Sequence, residues 1–137
     1  MRRVLGLDVG ERRIGVAISD PLGLTAQRLN VIERRNPEQD VQTIGSLAAA
    51  HHAEAVVVGL PLTMRGTVGT QAKRVLAFVE RLRTVVTCPV RVLDERLTTA
   101  QGQRALLETD TSRQARKGLI DQVAAQLILQ MYLDANR

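Results

Sequence analysis

Five consecutive apolar residues, Ala55-Val56-Val57-Val58-Gly59, set the strongest limit on what this chain can become. So short a valine-rich run, with no polar side to offer water, reads as a strand covered on both faces of a sheet. Such a sheet needs helices on either side, and the flanking sequence supplies them. Arg3–Val9 and Arg13–Ser19 are β-rich runs joined by Gly10-Glu11-Arg12, the pattern of a hairpin, and Ala26–Glu33 follows the turn Asp20-Pro21-Leu22-Gly23. Asn36-Pro37-Glu38-Gln39 opens a helix, with Asn36 as N-cap, Pro37 at the first helical position and Gln39 at the capping-box position; it is predicted to run to about His52.

After the apolar strand, a glycine-rich loop at 60–69 leads into a helix carrying Val75, Val79, Leu82 and Val86. Residues 90–94 form another strand, and Thr98-Thr99-Ala100-Gln101 carries a capping box for a helix through Leu107. Residues 109–118 are polar, basic and without period, so they read as a mobile loop. The last helix is expected from Leu119 to about Ala135, with Ile120, Val123, Ala124, Leu127 and Met131 on one face. The order β-β-β-α-β-α-β-α-α predicts an α/β fold, a mixed five-stranded sheet flanked by helices, in a single domain spanning residues 1–137.

Composition narrows the function. Arginine supplies 17 of the 19 basic residues, the net charge is +5 and the isoelectric point is near 10.6. Such a surface attracts polyanions, and guanidinium groups grip phosphate through two hydrogen bonds. Phe78 and Tyr132 are the chain's aromatic residues, which argues against a base-stacking platform for single strands. With Cys88 as the one cysteine, neither an intrachain disulfide nor a thiolate metal site is expected. The N-terminus enters a strand pattern directly, and the longest apolar stretch is far short of the ~20 residues that span a bilayer, so a cytoplasmic protein is expected.

Three carboxylates stand out. Asp8 interrupts the apolar run Val4-Leu5-Gly6-Leu7-Asp8-Val9, where a charge is costly unless paired or metal-bound; a turn aspartate ahead of Gly10 is the plainer alternative. Gly6 and Gly10 flank it on its own face of the strand, where small residues let a ligand approach the backbone. Glu95 follows the last strand, with Asp94 pointing to the opposite face, and the alternative is a surface Asp-Glu-Arg cluster. Asp121 is expected in the first turn of the last helix, where dipole stabilisation alone could account for it, yet Ala124 and Ala125 beneath it allow close packing on the sheet. Three such acids suit hard divalent cations. The loop from Gly59 to Gly69 ends at a helix N-terminus and suits phosphate oxygens at Gly66, or else its glycines serve only the turn. It lacks the Gly-Lys-Ser/Thr of a P-loop. Arg113, Arg116 and Lys117 form a basic cluster before Asp121, either solvated charge or a clamp on a substrate backbone.

Taken together, Gly6-Leu-Asp-Val-Gly-Glu-Arg-Arg-Ile-Gly-Val-Ala-Ile-Ser-Asp20, Val58-Gly-Leu-Pro-Leu-Thr-Met-Arg-Gly66, Asp94-Glu-Arg-Leu-Thr-Thr99 and Ile120-Asp-Gln-Val-Ala-Ala125 resemble the YqgF/RuvX family of Holliday-junction-resolvase-like nucleases. The motifs appear in family order over nearly the whole chain. The resemblance implies a ribonuclease H-like fold and Mg²⁺- or Mn²⁺-dependent phosphodiester hydrolysis in 5′-end maturation of pre-16S rRNA, with RNA preferred, DNA possible and a pre-ribosomal particle as the setting. It assigns Asp8, Glu95 and Asp121 as the catalytic, metal-holding acids, and Arg12, Arg96 and Lys117 as basic positions beside them. True junction resolvases place their second acid at the end of the preceding strand, where this chain has Gly59-Leu60-Pro61, and add a fourth acid where Ala124 stands.

Two other functions fit the same residues. Junction cleavage in DNA would require a homodimer rather than a monomer, to cut two strands symmetrically. A non-catalytic RNA-binding assembly factor would bind in a salt-sensitive way that survives loss of the carboxylates. Asp8-Val9-Gly10 also resembles the phosphate hairpin of sugar kinases and actins, but those need two such domains.

Overall fold

The computed structural model describes residues 3–95 and 113–136, with the backbone alone at 113–118. The elements are β1 (Arg3–Val9), β2 (Arg13–Ser19), β3 (Ala26–Glu33), α1 (Pro37–Ala50), β4 (Ala53–Leu60), α2 (Thr70–Arg83), β5 (Val90–Asp94) and a long last helix, α3 (Arg113–Ala135). The strands form one sheet in the order β3-β2-β1-β4-β5, antiparallel across β3-β2-β1 and parallel across β1-β4-β5. This is the mixed five-stranded, ribonuclease H-like architecture expected from the run of elements. The helix expected at Thr98–Leu107 lies outside the described residues.

Alternation assigns the two faces. Leu5, Leu7, Val9, Ile14, Val16, Ile18, Val56 and Val58 pack under α1 and α2. Val4, Ala17, Ala26, Ala55 and Val57 point the other way, against Ala124, Ala125, Ile128, Leu129 and Leu133 of α3. The start of α1 is as the sequence predicts, with Asn36 Oδ1 accepting from the Gln39 amide at 2.9 Å, and the helix closes at Ala50. Among the described residues no helix is long and apolar enough to cross a membrane.

The last helix differs from expectation in two ways. It begins at Arg113, so residues 113–118, expected in a mobile loop, are helical, and Asp121 sits in the third turn rather than the first. Arg-Gln-Ala-Arg-Lys are good helix formers. They carry no apolar period, the signal by which the sequence would have marked them as helix. The buried stripe also turns away from Val123, Leu127 and Met131, which are half-buried, towards Ala124, Ala125, Ile128 and Leu129. The sheet beneath is lined with glycine and alanine, so the small-residue edge of the helix approaches most closely.

Candidate active site

Because β1, β4 and β5 run parallel, their carboxyl ends lie together, beside the β1–β2 turn that Gly10 closes by donating to the Arg13 carbonyl at 2.9 Å. Open sheets of this kind place their sites at strand carboxyl ends. Asp8, one residue before the end of β1, is 6% exposed and faces α3, on the same side as Val4 and Gly6.

Two glycines on the neighbouring strands decide what surrounds it. On one side Asp8 pairs with Gly15 of β2, and a Cβ built on Gly15 would overlap the Asp121 carbonyl group. The backbone of Asp121 therefore rests on the sheet where a side chain is missing. On the other side, continuing the Leu7–Val58 register puts Asp8 beside Gly59 of β4, about 4.8 Å away. The space above Gly59 is shared by Ile128 and Glu95: a Cβ there would lie 2.5 Å from Ile128 Cδ1, 3.0 Å from Glu95 Cγ and 3.2 Å from Glu95 Cδ. Glu95 follows β5, is 2% exposed and reaches over β4 at Gly59. Leu93 packs on the α3 side, so alternation sends Asp94 to the opposite face and returns Glu95 to this one.

The three predicted acids thus lie on one face at one end of the sheet, Asp8 in the middle, the Glu95 side chain over Gly59 on one side and the Asp121 backbone over Gly15 on the other. Asp121 is the half-exposed member. Their backbones converge, but among the described residues no three His, Cys, Asp or Glu side chains sit close enough together to hold a metal ion as they stand. The donor set is all carboxylate oxygen, which suits Mg²⁺ or Mn²⁺ in chemistry. Every buried side-chain nitrogen or oxygen among the described residues has a hydrogen-bond partner.

The other predicted residues fall variously. Arg12 is exposed in the β1–β2 turn. Gly66 lies in the loop after β4 with φ 82°, in a turn where its amide donates to Thr63 O at 2.8 Å and Thr63 and Thr67 hydroxyls share a 2.6 Å bond; the turn alone accounts for this glycine. Arg96 lies outside the described residues, as do the side chains of Arg113, Arg116 and Lys117, whose backbones form the first turns of α3. Gly6 does not open a path for a ligand: its missing side chain is filled by Leu129, whose Cβ would be 2.6 Å from one on Gly6. Gly15, which interrupts a β-branched run, and Gly59, which ends one, are the glycines that shape the site.

A second feature depends on residues brought together only in the fold. Arg34 reaches from the end of β3 to donate through Nε to Asp40 Oδ2 at 3.1 Å and through Nη1 to the Gly10 carbonyl at 3.0 Å, its guanidinium 5.3 Å from the centre of the Phe78 ring. The Arg34 amide also donates to Arg12 O at 2.8 Å. Asp40, 2% exposed, accepts in addition from the Arg35 amide at 3.1 Å. This knot ties the β1–β2 turn, next to Asp8, to the start of α1 and the middle of α2. An aspartate in the buried stripe of α1, beside Val41 and Ile44, was its sequence signal.

A family model described as RuvX, Holliday junction resolvase, matches residues 2–135. The chain belongs to the RuvX family. A relative from Clostridium acetobutylicum is 47% identical over 133 residues, 97% of this chain and 98% of its own, and one from Moorella thermoacetica is 52% identical over 132 residues, 96% and 94%. Both carry the name "Putative pre-16S rRNA nuclease". Among solved structures, RuvC of T. thermophilus in complex with a Holliday junction aligns over 99% of this chain and 96% of its own, with a TM-score of 0.57 and 18% identity. The fowlpox virus Holliday junction resolvase aligns over 97% and 99%, with a TM-score of 0.53 and 12% identity. At these identities the structural likeness speaks for the fold. As a RuvX member the chain is a nuclease, and its substrate is a nucleic acid.

Proposed function

We propose that this RuvX chain, acting as one domain, is a divalent-metal-dependent ribonuclease that trims precursor 16S rRNA. Asp8, Glu95 and Asp121 are its metal-holding, catalytic acids. One observation carries this reading: Gly15 and Gly59 flank Asp8 and seat Asp121 and Glu95 on either side of it. Two of the three acids are almost fully buried, and a buried carboxylate group needs a cation or strong donors to stay charged. The chemistry a divalent ion supplies at such a site is activation of water and charge neutralisation at the scissile phosphate.

The chain's own residues do the rest. Asp8, buried and paired with Gly15 of β2, is the centre of the site. Glu95 packs over Gly59, the position that register sets beside Asp8. Arg12 stands exposed at the turn beyond Asp8, and Arg96, Arg113, Arg116 and Lys117 are the further basic groups that draw the RNA backbone to the acids. RNA is preferred over a DNA junction because relatives of about half identity and matching length carry the rRNA nuclease name.

The test is a cleavage assay on a labelled 5′ segment of precursor 16S rRNA and on a four-way DNA junction, each in Mn²⁺, Mg²⁺ and EDTA. Metal-dependent RNA cleavage abolished by Asp8→Asn supports the reading. Junction cleavage with RNA left intact would move the substrate to DNA, and binding without cleavage in every metal would leave an assembly factor.

A further inference from the structure

On the far side of the β1–β2 turn from the acids lies a cleft of about 480 Å³ lined by Glu11, Arg34, Arg35, Asn36, Pro37, Asp40 and Arg74. Its position follows from the topology. β3 ends beside the start of β2, so α1 begins at the same end of the sheet as the acids, and α2 begins there too, after the loop from β4. The cleft therefore opens between two helix N-termini, whose dipoles favour an anion.

Its charges divide into two kinds. Arg34 and Asp40 neutralise one another and are spent on the fold, the arginine side chain 20% exposed and the aspartate 2%. They make a rigid floor. Arg35 and Arg74 stand exposed on the walls. Arg74 pairs with Glu11 at 2.7 Å, but both side chains are largely in water, 63% and 73% exposed, and such a pair is weak enough for a phosphate to displace. Glu38, the remaining acid nearby, lines the adjoining groove that Arg35 also borders. Lys73 is exposed in the same turn of α2, and Arg12 is exposed on the turn between the cleft and the acids.

We propose that this cleft is a second phosphate-binding surface, in which Arg35 and Arg74 grip the backbone of structured RNA on the side of the sheet opposite the acids. The RNA then straddles the β1–β2 turn: the strand to be cut passes the acids on the α3 side, while phosphates farther along lie in the cleft. Arginine is the residue suited to this role, since its planar fork meets two phosphate oxygens at once. The surface confers affinity and register, and takes no part in bond cleavage. The proposal rests on the ribonuclease reading for its ligand, but it is tested by binding rather than by turnover.

The experiment measures fluorescence anisotropy of a labelled RNA stem-loop with the full chain in EDTA, across a series of salt concentrations. Arg35→Gln and Arg74→Gln are compared singly and together with wild type. Arg28→Gln, an exposed arginine on the α3 side of β3, is the charge-matched control. The double variant should bind about tenfold more weakly, and the slope of log K against log salt should flatten by about 1.4–1.8, the loss of two phosphate contacts. Arg28→Gln should leave both within twofold. In the cleavage assay the double variant should raise KM and leave kcat unchanged. Variants that bind as wild type does, or a control that weakens binding equally, would overturn the cleft. Wild-type protein that binds no RNA would overturn the ribonuclease reading and the cleft with it, a result distinct from the first.

Discussion

Replacing Gly59 with alanine should cost far more in activity than in stability. Gly59 lies in ordinary strand conformation, without a positive φ, so alanine is allowed there by the backbone. The added Cβ would fall 2.5 Å from Ile128 Cδ1, 3.0 Å from Glu95 Cγ and 3.2 Å from Glu95 Cδ. Ile128 Cδ1 ends a flexible side chain and can rotate aside. Glu95 cannot keep its place, because its Cγ must move by several tenths of an ångström. Overpacking of this kind costs about 1–3 kcal/mol. The alanine recovers about 0.4–1 kcal/mol by restricting the unfolded chain. The net loss is therefore about 0–2.5 kcal/mol, and for a chain of this length each kcal/mol lowers Tm by roughly 3–5 °C. A catalytic group misplaced by up to ~1 Å costs as much as 10²-fold in rate. kcat for metal-dependent RNA cleavage should then fall about 10–100-fold, while Tm drops by no more than about 12 °C. Gly45→Ala is the control: its Cβ would lie 2.7 Å from Val85 Cγ1, a comparable crowding on the α1 side of the molecule. It should leave kcat within twofold. A Gly59→Ala protein with wild-type kcat would refute the argument that this glycine seats Glu95.

Three further outcomes follow from the geometry. Arg34→Met should destabilise the fold by about 2–4 kcal/mol in urea denaturation, because Asp40 stays buried without its cation; a loss under about 1 kcal/mol would contradict the knot's role. Asp20 should titrate below the ordinary aspartate range by NMR, held down by the Thr25 amide first and the Leu24 amide as well. Its stabilising effect is therefore present above the unfolded pKa and lost as pH falls through the lowered folded value, so Asp20→Asn should flatten the acid limb of the stability curve. Gln130→Ala should expose the Ala26 amide, which donates to Gln130 Oε1 at 2.8 Å, to faster hydrogen exchange and cost about 1–3 kcal/mol; unchanged exchange there would count against it.

Much of this arrangement was legible in the residues. The three meandering strands, the fully apolar β4 and the Asn36 cap are local signals, and each appears where its pattern predicts. The placement of two of the acids was legible for a related reason: Asp8 is conspicuous in an apolar strand, and Glu95 follows one. What remained hidden depends on partners distant in sequence. Nothing local to Gly15 says that Asp121 will rest on it, and nothing at Gly59 says that a glutamate just past the next strand will reach over it. The buried stripe of α3 departs from the sequence expectation for the same cause. Val123, Leu127 and Met131 are the better hydrophobes, but a sheet face of glycine and alanine rewards close approach, and Ala124 and Ala125 approach closest. The Arg34 knot needed the hairpin turn, α1 and α2 in place together before its partners existed.

The most direct test of the central claim is a Mn²⁺ titration followed by paramagnetic broadening of backbone amide resonances, with Asp8→Asn alongside. If Asp8, Glu95 and Asp121 hold the ion, the amides of Gly15, Gly59 and their neighbours broaden first, at substoichiometric Mn²⁺, and the effect disappears in the variant. Broadening that begins elsewhere, at His51 and His52 for example, or that persists unchanged in Asp8→Asn, would show that these acids do not form the metal site.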